Sequence, residues 1–156
     1  MTTRDDRVIL VSACLVGIAC RYNGVSQKNE KVMEWLQGKS FVPVCPESLS
    51  GLPVPREAAE FDHGDGALVR SGKTRVITRS GVDVTKEFMR GAIETLKIAQ
   101  LVKPREAVLK DRSPSCGVYY VYNRGELVRG VGCFTALLLL EGVAVRSEKD
   151  IEELTG

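Results

Sequence analysis

The stretch RVILVS, residues 7–12, decides the fold, because it is an unbroken apolar run that follows a charged segment. A strand with one face in water alternates apolar and polar residues, whereas a strand buried on both faces of a parallel sheet does not. The run ends in ACLVGIAC (13–20), a loop in which Gly17 allows a turn. These residues therefore predict a buried strand of a parallel sheet, with a loop at its carboxyl end.

Helices and strands alternate along the rest of the chain. Helices are predicted at NEKVMEWLQ (29–37), from Asp83 or Thr85 to Pro104, and at Phe134 to Glu141. A terminal helical turn is predicted with Ser147 and Asp150 as its caps. Strands are predicted at Phe41 to Val44, Ala107 to Lys110 and Val143 to Val145. Hairpins are predicted at 67–79, around Ser71-Gly72, and at YYVYNRGELVRG (119–130). This order predicts one Rossmann-like α/β domain over residues 1–156, with a mainly parallel sheet, helices on both faces and two hairpin excursions.

The composition is that of an ordinary globular protein, with 44% apolar and 27% charged residues in a chain of 156. A formal net charge of +2 argues against nucleic acid or an anionic membrane as the main partner. The longest apolar run, Ala136 to Leu140, is far too short to span a membrane, and residues 1–10 carry no apolar segment of signal-peptide length. We therefore expect a cytoplasmic protein, and the sequence favours no particular oligomeric state.

Five cysteines carry the strongest chemical signal of the sequence. Their odd number, in a chain without a visible signal peptide, argues against a disulfide framework. Cys14, Cys45 and Cys116 each follow a predicted strand, within a segment rich in Gly, Pro or Ser. Because ligands bind beyond the carboxyl ends of the strands in open parallel sheets, we expect these three thiols to lie close together.

Three thiolates at one site suit several kinds of chemistry. Structural zinc sites use four ligands, usually in paired CxxC spacing, and no CxxC occurs here. An iron–sulfur cluster takes Cys thiolates, and three of them would leave one iron of a four-iron cluster open as a Lewis acid. A reactive thiol without metal is the third possibility. The spacing alone leaves cluster, zinc and thiol nucleophile open.

Four longer segments resemble the signatures of one bacterial family. They are SACLVGIACRYNG (12–24), PVCPESLSGLPVPREAAE (43–60), LKDRSPSCG (109–117) and GCFTALLLLEGVAVRSE (132–148). Together they are similar to the family of the TudS-like thiouracil desulfidases, and the likeness covers nearly the whole chain. The resemblance implies an α/β fold, a [4Fe–4S] cluster and a small thiolated base such as 2-thiouracil as substrate. It also implies hydrolytic, non-redox removal of the sulfur as hydrosulfide.

The same resemblance implies which residues form the site. Cys14, Cys45 and Cys116 would hold the cluster, whose free iron would take the substrate sulfur before water attacks the carbon. Glu47 lies two residues after Cys45 and is a candidate for activating that water, since a carboxylate can accept its proton.

Hydroxyls and further polar groups complete the predicted site. Ser113 and Ser115 flank Pro114 just before the third cysteine, and their hydroxyls can bond a substrate heteroatom or a cluster sulfide. We take Ser113 as the first candidate for a catalytic partner and Ser115 as the second. Residues expected on the substrate side are Cys20, Arg21, Tyr22 and Arg56.

Two other functions fit the same cysteines. A metal-free enzyme could use Cys14 or Cys116 as a low-pKa nucleophile that carries a persulfide in sulfur transfer. A sensor or binding module could use a cluster or a small ligand to control a partner that docks on the hairpins.

Overall fold

The structure of the protein is a computed structural model that describes residues 5–155. Strands are β1 (Ile9–Ser12), β2 (Phe41–Val44), β3 (Ala59–Phe61), β4 (Val76–Thr78), β5 (Glu106–Leu109), β6 (Tyr120–Asn123), β7 (Glu126–Arg129) and β8 (Val145–Ser147). Helices are α1 (Glu30–Leu36), α2 (Gly66–Arg70), α3 (Thr85–Val102), α4 (Cys133–Leu140) and α5 (Glu148–Thr155). Within residues 5–155, none of the helices combines the length and apolar character needed to cross a bilayer.

The first sheet is parallel throughout and has the strand order β2-β1-β5-β8. β1 therefore lies between the two other strands that precede a cysteine loop. Its register aligns Ser12 with Val44 of β2, and Val11 with Val108 of β5. The α/β prediction with a mainly parallel sheet is confirmed, and the three strand ends meet at one edge of the sheet.

Both faces of this sheet are covered by helices, as predicted from the apolar run. Ile9 and Val11 pack with Leu36 of α1 and Ile151 of α5. Leu10 points the opposite way, into the larger core that includes α3 and α4. Each of these aliphatic side chains is at most 2% exposed, and burying one contributes about 1.5–3 kcal/mol. Burial on both faces therefore fixes β1, the central one of the three strands that precede the site loops.

Capping side chains define where the helices on one face begin. Asn29 accepts the Val32 N–H at 3.0 Å, and its amide donates to Glu152 of α5 at 2.9 Å. Ser147 accepts the Lys149 N–H, while Asp150 accepts the Ser147 N–H, which forms a reciprocal capping box. The predicted caps of α1 and α5 are thus both present.

The predicted hairpin at 67–79 is wrong. Asp65 accepts the N–H groups of Ala67 and Leu68, so this stretch begins with a helical turn, α2. Gly72, with φ +76°, lies just after that helix and not at the tip of a hairpin. The strand that follows, β4, pairs antiparallel with β3, which precedes the helix and which the sequence pattern did not reveal.

The predicted hairpin at 119–130 is confirmed as β6 and β7. Its turn contains Arg124 and Gly125, which both have positive φ, as a two-residue hairpin turn requires. β6 also pairs with β3, which gives a second, mixed sheet of order β4-β3-β6-β7. The protein thus has two sheets where the sequence predicted one sheet with excursions.

Helix α3 supports the loop that follows β2. Gly91 faces this loop so closely that an added Cβ would collide with the backbone carbonyl of Pro46. The loop turns at Gly51, which has φ +90°. A glycine inside α3 therefore allows the helix to hold the segment that carries Glu47.

Gly91→Ala tests this close approach. Alanine has a helix propensity about 1 kcal/mol better than glycine, yet overpacking against backbone costs about 1–3 kcal/mol. We expect a net loss in the free energy of unfolding, measured by chemical denaturation. Lys86→Ala, at an exposed position of α3, is the control and should change it by less than about 0.5 kcal/mol. A Gly91→Ala protein more stable than the wild type would contradict the packing.

Candidate active site

A cavity of about 350 Å³ opens at the carboxyl edge of the parallel sheet. Four thiols line it, from Cys14, Cys20, Cys45 and Cys116. The structure therefore brings together the three cysteines predicted from the strand ends, and it also places Cys20, expected on the substrate side, at the same cavity. The fifth, Cys133, is buried in the larger core and does not reach the cavity wall.

Turns hold the first two strand-end cysteines. Cys14 lies in a single 3-10 turn, Ala13–Val16, which ends at Gly17 with φ +101°. The Cys14 carbonyl accepts the N–H groups of Gly17 and Gln27, so the loop folds back over its own start. Cys45 follows β2 directly, and its carbonyl accepts the Ser48 N–H. Each thiol is thus attached to backbone that is fixed close to a strand end.

A buried carboxylate organises the third loop. Asp111 is 4% exposed, and one of its oxygens accepts four backbone N–H groups, from Arg112, Val118, Tyr119 and Tyr120. Burial opposes ionisation of Asp111, but these four hydrogen bonds leave its pKa below the ordinary value. The carboxylate therefore ties the two ends of loop 112–117 together.

The start of α4 fixes the same loop from the other side. Its first N–H groups, from Cys133 and Phe134, donate to the carbonyls of Pro114 and Ser115. Gly132 allows this, since a Cβ there would collide with the Ser115 carbonyl. Cys116 is thereby held 5% exposed at the cavity wall.

The four thiols have different affinities for protons. Burial raises the pKa of Cys14 to about 11 and raises that of Cys116 well above its usual value, although a hydrogen bond to Ser12 partly offsets the latter. A hydrogen bond between the Cys20 and Cys45 thiols lowers the pKa of Cys45 and raises that of Cys20. Cys45 is therefore the thiol of this group most easily ionised.

The donor set fits a cluster better than a single ion. Among residues 5–155, no group of three or more His, Cys, Asp and Glu side chains is arranged to hold one metal ion. A four-iron cluster is several atoms wide, so its ligands stand apart around it and all of them are thiolates. Cys14, Cys45 and Cys116 line one cavity from three separate loops, as such a cluster requires.

Glu47 lines the cavity and forms a mostly buried ion pair with Arg56. The Arg56 Nε and Nη2 donate to Glu47 Oε1 at 3.2 and 3.0 Å. Burial raises the pKa of Glu47, while the adjacent guanidinium counteracts that effect. Arg56 itself is not part of the cavity wall, so the structure places it behind Glu47 and away from the substrate side where the sequence predicted it.

The two predicted serines lie in different places. Ser113 lines the cavity, and its Oγ accepts the N–H groups of Ser115 and Cys116. With its oxygen engaged by two donors, the hydroxyl has its proton left to give. Ser115 is 2% exposed and lies outside the cavity wall. The loop therefore presents Ser113, and not Ser115, to a bound molecule.

Other residues of the wall fall into predicted and missed groups. Arg21 and Tyr22 line the cavity, as predicted. Sequence reasoning missed Ser12, Asp111, Glu60, Arg79 and Tyr122. Ser12 and Asp111 lie inside motifs already singled out, so their place beside the cysteines was a usable signal. Glu60 and Tyr122 belong to strands of the second sheet and Arg79 directly follows one, so only tertiary pairing brings them to the cavity.

Comparisons with known proteins identify the family to which the chain belongs. The family described as 2-thiouracil desulfurase matches residues 9–150. The uncharacterized protein YbbK of Bacillus subtilis (strain 168) is 41% identical over 150 residues, which is 94% of this chain and 99% of YbbK. The solved structure of the [4Fe-4S]-dependent thiouracil desulfidase TudS (DUF523Vcz) superposes with a TM-score of 0.80 and 39% identity, covering 96% of this chain and 95% of that one.

The order of thiol reactivity tests the electrostatics of the site. In chelator-treated, reduced protein at neutral pH, iodoacetamide should modify Cys45 before Cys14 and Cys116. A lowered pKa leaves more thiolate at Cys45, whereas the two raised pKa values keep the other thiols protonated. Peptide mass spectrometry over time measures the three rates. Equal or faster modification of Cys14 or Cys116 would contradict the arrangement.

Proposed function

The chain belongs to the 2-thiouracil desulfurase family, and on that premise we propose that it is a [4Fe–4S]-dependent desulfidase acting on thiolated nucleobases such as 2-thiouracil. The observation that carries the proposal is that three thiols from three strand ends share a cavity with a mostly buried carboxylate, Glu47. The likeness to the TudS structure supports the choice of cofactor and substrate class.

Cys14, Cys45 and Cys116 hold the cluster in this proposal. When bound, a four-iron cluster with three protein thiolates supplies a Lewis-acidic iron suited to a soft donor such as sulfur. Cys20 lines the same cavity, but it does not follow a strand end as the other three do. We assign it to the wall of the cavity and not to the ligands.

Glu47 accepts the proton of the attacking water. Arg56 occupies Oε1, which leaves Oε2 without a hydrogen bond among the described residues, and Glu47 lines the cavity. A carboxylate within hydrogen-bonding reach of a water molecule can deprotonate it as the new carbon–oxygen bond forms. The two oxygens of Glu47 thus have separate tasks, one held by the protein and one used in chemistry.

Ser113 acts as a hydrogen-bond donor to the substrate. Its oxygen already accepts two backbone N–H groups, which orients the hydroxyl proton away from the loop. A donor at this place stabilises negative charge that develops on a ring nitrogen or on the departing sulfur. Arg21 and Tyr22, at the mouth of the same cavity, complete the substrate side.

The reaction balances as a hydrolysis. The carbon–sulfur double bond is replaced by a carbon–oxygen double bond whose oxygen comes from water. One proton of that water leaves with the sulfur as hydrosulfide, and the other is released to solvent. The oxidation states of carbon and sulfur do not change. A persulfide on a protein thiol would require the sulfur to lose two electrons to an added oxidant. Hydrolysis is therefore the simpler chemistry for this site.

We also propose that the protein works in the cytoplasm as one domain of residues 1–156. A reducing compartment keeps thiols free for metal binding, and all five cysteines are free in the structure. The thiolated base is the proposed partner, and the near-neutral charge gives no reason to invoke nucleic acid.

Iron analysis with a matched cysteine control tests the proposal. Anaerobically reconstituted wild type should contain four iron and four acid-labile sulfide per chain and release hydrosulfide from 2-thiouracil. Ala at Cys14, Cys45 or Cys116 should abolish both properties. Cys133→Ala, in the core outside the cavity, and Cys20→Ala should keep the iron. An iron-free wild type after reconstitution, or an active protein without iron, would refute the proposal.

Glu47→Gln separates catalysis from cofactor binding. The amide keeps the shape of the side chain but cannot take a proton, so kcat should fall by about 10²–10⁴-fold with iron content unchanged. Glu57→Gln is the control, since Glu57 is an exposed neighbour that bonds Ser80. Full activity of Glu47→Gln would remove Glu47 from the reaction.

A further inference from the structure

We propose that Arg56 is the positioning residue of this site, and that it sets the working geometry of Glu47 without touching the substrate. The inference rests on the proposed function, because it assigns a reason for the placement of the residue proposed to activate water. The sequence placed Arg56 on the substrate side, whereas in the structure it does not line the cavity, its side chain is 4% exposed, and its donors bind oxygens of Glu47, Pro53 and Cys20.

Arg56 donates to two loops, its own loop after β2 and the loop after β1. Nε and Nη2 donate to Glu47 Oε1, Nη1 donates to the Pro53 carbonyl at 3.2 Å, and Nη2 also donates to the Cys20 carbonyl at 3.0 Å. Its backbone N–H donates to the Tyr22 carbonyl at 2.6 Å. The side chain is 4% exposed, and its bonds to Glu47 and to the Cys20 carbonyl are partly buried, which shields them from bulk water.

The asymmetry of the ion pair is its informative feature. Both donors of Arg56 converge on one oxygen of Glu47. Arg124 and Arg146 bind Asp62 and Glu106 in the same way, but there a second arginine lies at the other carboxylate oxygen. Arg7 instead forms two parallel bonds with Asp5, one to each oxygen. Glu47 differs from these carboxylates because its Oε2 has no hydrogen-bond or ion-pair partner among residues 5–155.

The Cys20 carbonyl connects the same guanidinium to the thiol side of the site. It accepts from Arg56 Nη2 and lies 3.7 Å from the Cys45 Sγ. One planar group therefore relates the position of the Glu47 carboxylate to the loop after β1 and to a cysteine after β2. A lysine would retain the charge but not this planar set of donors.

A double-mutant cycle separates positioning from other roles. Arg56→Lys should lower kcat by about 10²-fold, with KM within about twofold of wild type and iron content unchanged. In a Glu47→Gln background the same change should cost less than about threefold, because the group that Arg56 positions no longer takes the proton. Arg7→Lys is the matched control, since Arg7 uses the same two donors in an exposed pair far from the site.

Three outcomes of this cycle would overturn the proposal. Equal losses in both backgrounds would mean that Arg56 acts independently of Glu47. A raised KM with unchanged kcat would mean that it contacts the substrate, and loss of iron would make it part of cofactor binding. If Arg56→Lys fails to fold, the double variant Arg56→Met, Glu47→Gln is used in its place, because it removes both charges of the pair together. Its kcat is compared with that of Glu47→Gln alone. A kcat lower by more than about threefold would overturn the proposal.

A second readout does not depend on activity. In chelator-treated protein, Arg56→Lys removes the bond to the Cys20 carbonyl, so Cys20 should react with a maleimide about tenfold faster than in wild type or Arg7→Lys. An unchanged rate would show that Arg56 does not fix this loop. If wild type releases no hydrosulfide while Cys20 responds as expected, the proposed function fails, and Arg56 is still shown to fix the loop that carries Cys20.

Discussion

The parallel backbone pairing of β1 with β2 on one side and β5 on the other is the constraint on which the site depends. Parallel strands place their carboxyl ends at one edge of a sheet, so three cysteines that are distant in sequence reach one cavity. The pairing is in turn stabilised by burial of β1 on both faces, under α1 and α5 on one side and α3 and α4 on the other. A polar residue at Val11 would therefore disturb the site through the core.

The loops beyond these strands are held in place by hydrogen bonds to buried side chains and by close contacts with helices. Asp111 collects four backbone N–H groups, and glycines at positions 91 and 132 bring helices against the loop backbone. Arg56 then joins two of the loops through carbonyl and carboxylate oxygens. A preformed arrangement of this kind supports catalysis because the reacting groups need little rearrangement when substrate binds.

Much of this arrangement follows from local sequence, and the remainder depends on contacts that sequence does not display. The apolar run at 7–12 and the three strand-end cysteines were sufficient to predict the parallel sheet and the meeting of the thiols. The helix α2 was missed because Ser71-Gly72 is also typical of a hairpin, and the capping side chain of Asp65 was not recognised. The second sheet depends on pairing between distant strands. The Arg56 side chain points toward Glu47 because the buried carboxylate competes with water for the guanidinium. The spacing of the two residues in the sequence cannot reveal the outcome of that competition.

Anomalous diffraction at the iron absorption edge, from anaerobically grown crystals of the reconstituted protein with 2-thiouracil, tests the central claim most directly. Our account predicts iron in the cavity at the carboxyl edge of the sheet, with Cys14, Cys45 and Cys116 as its only protein ligands. It also predicts the thiolated base on the open side, within reach of Glu47 and Ser113. Iron bound by Cys20 in place of one of the three, or a base bound elsewhere, would contradict it.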